Sequence, residues 1–223
     1  MSDDIAPLVL FDLDGTLLDS ARDLHAAMNV LLSLKSEPPV AFEEFRPVVS
    51  KGARAMLKQS FKHADDAQRE SLLPEFLRHY ENGLAKHSRL FDGIETVLGY
   101  IEARSARWGI VTNKPYYLAE PLVQKLGWSH RSAVLLGGDS LPHKKPDPDQ
   151  LLHACALLGI APENAVYIGD DERDVQAANA ADMHSIGALW GYRPMDDDPV
   201  RWQADALAAT PMDLIDLGLL NRR

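Results

Sequence analysis

The chain is 223 residues long, 46% hydrophobic and 25% charged, which is enough for one large domain or a medium one with a smaller companion and excludes a fibrous, collagen-like or wholly disordered protein. Lys and Arg total 23 against 33 Asp and Glu, for a formal charge of −10. So acidic a surface is a poor partner for nucleic acid backbone or anionic lipid, and any phosphate site must be local. A single cysteine excludes an intramolecular disulfide framework and fits a reducing compartment.

Met1–Pro7 is polar, with neither the basic nor the apolar region of a signal peptide, and no apolar run approaches membrane-spanning length. The expectation is a cytoplasmic protein, a monomer or a homodimer, with no nucleic acid or membrane partner. Leu8–Phe11 reads as a short buried strand ending at Asp12. From Ser20 to about Lys35 the apolar residues Leu24, Met28, Leu31 and Leu32 recur at helical spacing, and Glu37-Pro38-Pro39 stops them. Helices are predicted over about Ala53–Lys62 and Asp65–Lys86, the second with Pro74 expected to start, kink or split it.

After Gly93 strands and helices alternate. Helix is predicted from Ile94, strand over Trp108–Thr112, helix to Leu126, strand over Ala133–Leu136 and helix over Pro148–Leu158. Then come strand over Ala165–Ile168, helix over Arg173–Ala181, strand near His184–Leu189, and a last strand–helix pair over Ala204–Ala208 and Pro211–Leu217. This alternation predicts an α/β protein, a Rossmann-like parallel sheet with helices on both faces. Residues 18–88 carry no strand signal and read as a helical insertion; 1–17 and 89–223 form the α/β core.

Ligands of open α/β sheets bind beyond the carboxyl ends of strands. Asp12, Thr112 and Asp170 each fall at such an end. Asp12-Leu13-Asp14-Gly15-Thr16 sends two carboxylates out of an apolar strand, a costly arrangement unless a cation meets them. Mg²⁺, an oxygen-seeking ion that pairs carboxylates with phosphate, suits it; an ordinary Asp-Gly turn would give the same five residues. Val166–Gly169 empties into Asp170, which is placed to join Asp12 as a metal ligand, with Asp174 one helical turn on and able to face the same pocket from behind it. Asp171 either supports the site from behind the ligands or, like Glu172, serves the helix dipole. Thr112, Asn113 and Lys114 offer a hydroxyl, an amide and an amine at the end of a third strand. Lys144 or Lys145 can neutralise phosphate and carboxylates from the fourth segment, unless both are solvated loop charges.

These four segments, in this order, resemble the motifs of the haloacid dehalogenase superfamily. The resemblance implies an Mg²⁺-dependent phosphatase of a small phosphorylated metabolite, in which Asp12 attacks phosphorus and Asp14 protonates the leaving oxygen. Thr112 and Lys145 would meet the phosphoryl charge, and Asp12, the Asp14 carbonyl and Asp170 would hold the metal. It also implies that the insertion is a small helical cap.

Ser50–Met56, His87–Gly93, Trp108–Pro115, Ala119-Glu120-Pro121 and Gly191–Pro194 with Trp202 look most like the phosphoglycolate phosphatase branch, within it the N-acetylmuramic acid 6-phosphate phosphatases. Gly15 and Asn113 are expected near the phosphate, and Lys51 and Arg54 near a substrate carboxylate. A phosphomutase, or a regulator that only carries phosphate on Asp12, would share the core residues. Cys155, Trp190, Tyr192 and Trp202 read as packing residues.

Overall fold

The computed structural model describes residues 5–221; the first four residues of the polar N-terminus lie outside it. Six strands form one parallel sheet: β1 (Leu8–Phe11), β4 (Arg107–Val111), β5 (Leu135–Leu136), β6 (Ala165–Gly169), β7 (His184–Ala188) and β8 (Ala206–Ala208). Their spatial order is β5-β4-β1-β6-β7-β8. Leu8 pairs with Arg107 on one side and Ala165 on the other, so β1 is the centre from which the chain winds outward in both directions. Such a switch point opens a crevice at the carboxyl ends of its strands.

Alternation along β1 builds two cores. Val9 and Phe11 join Trp108, Ile110, Ile168 and Ile186 in one apolar cluster. Helices α5 (Ile94–Ala103) and α6 (Tyr116–Lys125) pack on that face. Leu8 and Leu10 face the other way, into a cluster with Leu151, Ala154 and Cys155 of α7 (Asp149–Leu158) and Ala177 and Ala178 of α8 (Glu172–Ala180). The protein is therefore an α/β fold with helices on both faces, as the strand–helix rhythm requires. Helix α9 (Asp213–Asp216) closes the chain.

Between β1 and α5 runs a helical segment: α1 (Ala21–Leu34), α2 (Phe42–Phe45), α3 (Ala53–Ser60) and α4 (Asp66–Asn82). Leu24, Met28, Leu31 and Leu32 of α1 are buried, and so are Phe76 and Tyr80 of α4. Asp65 begins α4 with a reciprocal cap, its side chain accepting from Gln68 N–H while the Gln68 side chain accepts from its own.

Three differences from the sequence reading stand out. Helix α4 continues through Pro74, which therefore neither starts nor splits it. The segment is also entered and left by a two-residue antiparallel ribbon, β2 (Leu18–Asp19) with β3 (Arg89–Leu90), so residue 18 is strand and not the start of a strandless insertion. The predicted strand over Ala133–Leu136 is regular only over its last two residues, although the Ala133 N–H still donates to the Trp108 carbonyl and the Val134 carbonyl accepts from the Ile110 N–H. Among the described residues no helix is long and apolar enough to cross a membrane.

Candidate active site

Three of the predicted residues converge where β1, β4 and β6 end. Asp12 follows β1, Thr112 follows β4 and Asp170 follows β6. Carboxylate oxygens of Asp12, Asp170 and Asp174 lie within 4.8 Å of one another. Asp170 is fully buried and, among the described residues, accepts only from neutral donors: Thr16 Oγ1 at 3.1 Å, Ser50 Oγ at 2.6 Å and the Tyr192 N–H at 2.8 Å. Burial, with the anions of Asp12 and Asp174 alongside, pushes its carboxyl well above the ordinary range.

A buried carboxylate facing two others, with no Lys, Arg or His paired to it among the described residues, is a donor set that a hard divalent cation suits. The backbone crowds in to make this possible. Gly15 has φ +90°, and a Cβ there would lie 2.1 Å from Asp170 Oδ2; at Gly191 one would lie 2.3 Å from the Asp170 Cβ.

Lys145 is buried beneath the site. Its ammonium donates to Asp174 Oδ1 at 2.6 Å and to the Tyr167 hydroxyl at 2.6 Å, and lies 3.2 Å from Asp12 Oδ1. Burial alone would lower its pKa, but the carboxylates of Asp12 and Asp174 outweigh it and leave the amine raised. Asp174 is pushed up to about 6 by burial and by the anions of Asp12 and Asp171, against the pull of Lys145. The Asn113 amide donates to the Lys145 carbonyl at 2.9 Å, so it anchors this loop. Thr112 Oγ1 accepts from the Lys114 N–H.

Asp14 is placed differently. Its carboxylate is not one of the three that converge, so a role as ligand rests on its backbone carbonyl. One carboxylate oxygen accepts from Ser20 Oγ at 2.5 Å and the other from Lys114 Nζ at 2.8 Å. Lys114 also donates to the buried Tyr80 hydroxyl at 2.9 Å.

The two cationic residues expected to greet a substrate carboxylate already hold acids of their own chain. Lys51 lies 2.8 Å from Asp171 Oδ2, while Arg54 grips Glu70 with two hydrogen bonds of 2.8 and 2.6 Å and is largely exposed. Asp171 is the N-cap of α8, its side chain accepting from the Arg173 N–H. Burial raises its carboxyl, but Arg173 and Lys51 outweigh that and lower it.

The sequence reading missed the contacts that sew the helical segment to this rim: Ser50 to Asp170, the Arg173 guanidinium to the Ser50 carbonyl, and Tyr80 to Lys114. Tyr192 does more than pack, since its hydroxyl accepts from the N–H groups of Ser20 and Ala21 and donates to Asp19. Trp190 likewise donates to the Thr16 carbonyl. Cys155 is buried, its thiol pushed up to about 11 by burial. A cavity of about 340 Å³ opens over the carboxylates, walled partly by Met56, Leu73, Leu77 and Leu118.

A doubly wound sheet whose central strands empty into carboxylates, beneath a cavity walled partly by an inserted helical segment, is an α/β architecture that sets its reactive groups at strand ends. Comparison with known proteins makes this specific: haloacid dehalogenase-like hydrolases match residues 9–188, and the chain belongs to that family.

It is 54% identical to a phosphoglycolate phosphatase of Xanthomonas campestris pv. campestris over 206 residues, 92% of this chain and 93% of that one. It is 43% identical to the N-acetylmuramic acid 6-phosphate phosphatase of Pseudomonas aeruginosa over 210 residues, 94% of this chain and 93% of its relative. In structure it resembles a predicted phosphoglycolate phosphatase from Haemophilus somnus, with a TM-score of 0.85 at 25% identity, covering 98% of this chain and 99% of that one. The protein is thus a hydrolase with phosphatases for relatives.

Proposed function

We propose that the protein is an Mg²⁺-dependent phosphomonoesterase that hydrolyses a small carboxylated phosphate ester through an aspartyl-phosphate on Asp12. The observation that carries this reading is the buried, cation-less Asp170 carboxylate facing Asp12 and Asp174. Asp12, Asp170 and the Asp14 carbonyl would hold Mg²⁺, which when bound screens the repulsion between an anionic nucleophile and an anionic phosphate.

The remaining steps belong to the chain. Asp12 is half-buried at the end of β1 and takes a backbone hydrogen bond from Leu13 at 2.8 Å, which fixes one carboxylate oxygen. Lys145, Thr112 and nearby N–H groups stabilise charge on the transferred phosphoryl. Asp14 gives its proton to the leaving oxygen and then takes one from the attacking water. Asp174 and Tyr167 hold the Lys145 ammonium in place. The helical segment between β2 and β3 acts as a cap that excludes water from the cavity.

Two substrates are supported. N-acetylmuramic acid 6-phosphate is favoured by the partly apolar cavity, which has room for a sugar. Phosphoglycolate is favoured by the more identical relatives. We place the enzyme in the cytoplasm, where a free thiol such as Cys155 stays reduced. A panel of phosphate esters containing both candidates, assayed with EDTA and after Mg²⁺ is restored, tests the reading. Phosphate release that EDTA stops and Mg²⁺ revives is expected; full activity in EDTA overturns the metal, and release from neither candidate overturns the substrate class.

A further inference from the structure

Lys114 stands where the helical segment meets the sheet. Its ammonium is shared between Asp14, on the loop after β1, and Tyr80, on α4, and its side chain is only 6% exposed. The Tyr80 phenol is buried, and burial together with the charges of Asp14 and Asp23 keeps it protonated. It is therefore a fixed, neutral partner that ties the lysine to the helical segment.

Of the other cations lining the cavity, Lys144 is exposed and Arg173 pairs with Asp171, and the rest are held by acids that keep their places. Lys51 pairs with Asp171, Arg54 with Glu70, and Lys145 with Asp174. The partner of Lys114 is the acid that the proposed reaction calls away. To protonate a leaving oxygen, Asp14 must first take up a proton from solvent and then turn its carboxyl toward the ester, and in doing so it strips Lys114 of its counter-charge. A nearly buried ammonium left with one phenol is costly, and the cost rises as the cavity closes and water leaves. An anion carried on the leaving group removes that cost, and a carboxylate is the group with the right charge and geometry for it.

We propose that Lys114 exchanges partners during the catalytic cycle: it holds the Asp14 carboxylate in the free enzyme and the carboxylate of the leaving group in the complex. Tyr80 keeps the ammonium in position through the exchange. A carboxylated ester then frees the acid that its own cleavage needs, whereas an ester without a carboxylate leaves Asp14 bound to the lysine. Lys114 is on this account a specificity-determining residue, and selection acts on release of the acid as well as on binding.

The inference rests on the phosphomonoesterase reading of the site. Its test uses matched esters: phosphoglycolate against ethyl phosphate, and N-acetylmuramic acid 6-phosphate against N-acetylglucosamine 6-phosphate, which lacks the carboxylate. Wild-type enzyme should prefer the carboxylated member of at least one pair by about tenfold or more in kcat/KM, and Lys114→Met should shrink that preference to within about threefold. The ratio is read whatever happens to the rate common to both esters.

If Lys114→Met does not fold by circular dichroism, Lys114→Gln keeps hydrogen-bond donors for Asp14 and Tyr80 without the charge and carries the same comparison. A preference that survives loss of the charge overturns the Lys114 assignment and leaves the phosphatase reading intact. A wild type that treats both members of each pair alike removes the carboxylated-substrate reading and this inference with it.

Discussion

At the residue scale the site is a problem of crowded negative charge. Asp12, Asp170 and Asp174 meet within a few ångströms, and among the described residues Lys145 is the cation in direct contact with them, with the Arg173 guanidinium acting on Asp12 and Asp174 from farther off. That imbalance makes the nucleophile assignment testable. Asp12→Asn relieves repulsion and should leave the fold as stable as wild type or more so, yet an amide cannot form the acyl phosphate. Turnover should fall by about 10³-fold or more, several kcal/mol of barrier. Retention of activity within about tenfold in a steady-state phosphate-release assay would sink covalent catalysis by Asp12.

Gly15 makes a different demand. Its φ is +90°, and a Cβ at this position would come within 2.1 Å of Asp170 Oδ2, so Gly15→Ala must displace the buried carboxylate. Mg²⁺ affinity measured by titration calorimetry should drop together with kcat; unchanged affinity would show that Asp170 can move at no cost.

At the scale of elements, α8 shows one residue serving two purposes. Asp171 caps the helix and also holds Lys51 of the helical segment. Asn caps as well as Asp, whereas Ala does not, so Asp171→Ala should cost about 1 kcal/mol of stability and Asp171→Asn far less. Both lose the ion pair to Lys51, so kcat/KM should fall in both if that link aligns the helical segment over the cavity. Denaturant unfolding and steady-state kinetics on the two variants separate the roles.

The same element shows what the sequence made legible. Val166–Gly169 announced a strand by its apolar run, and Asp170, Asp171 and Asp174 announced a site by following it. The ribbon of Leu18–Asp19 with Arg89–Leu90 was illegible, because two residues are too few to show a period. Lys114 was named only as an amine at a strand end. Its partner Asp14 is 100 residues away in the chain, and nothing local marks the pair. Arg54 was plausible as a carboxylate reader from its chemistry, but Glu70, 16 residues on, faces it across α3 and α4.

At the scale of the whole molecule, the buried acids make stability depend on pH and on a cation together. In the metal-free protein Asp170 titrates well above the ordinary 3.8, and Asp174 is pushed up to about 6. Between the unfolded and native values the native state binds the extra protons, so the contribution of these groups to stability falls as pH rises through that window. Below the ordinary carboxylate value they carry no penalty; above about 6 Asp174 is ionised and its penalty is complete, while that of Asp170 grows until the pH passes its own raised value. A divalent cation binds the ionised form and therefore has most to offset at the higher pH.

Mg²⁺ should accordingly raise Tm more at about pH 7.5 than at about pH 5, where protons compete for the same oxygens. At a hundredfold excess over Kd the stabilisation is about 2.7 kcal/mol, or roughly 5–10 °C for a chain of this size. Scanning calorimetry in EDTA and in excess Mg²⁺ at the two pH values measures both effects. A Tm indifferent to Mg²⁺ at both, or a larger shift at the lower pH, would remove the proposed cation from Asp170 and with it the charge balance on which the proposed attack by Asp12 depends.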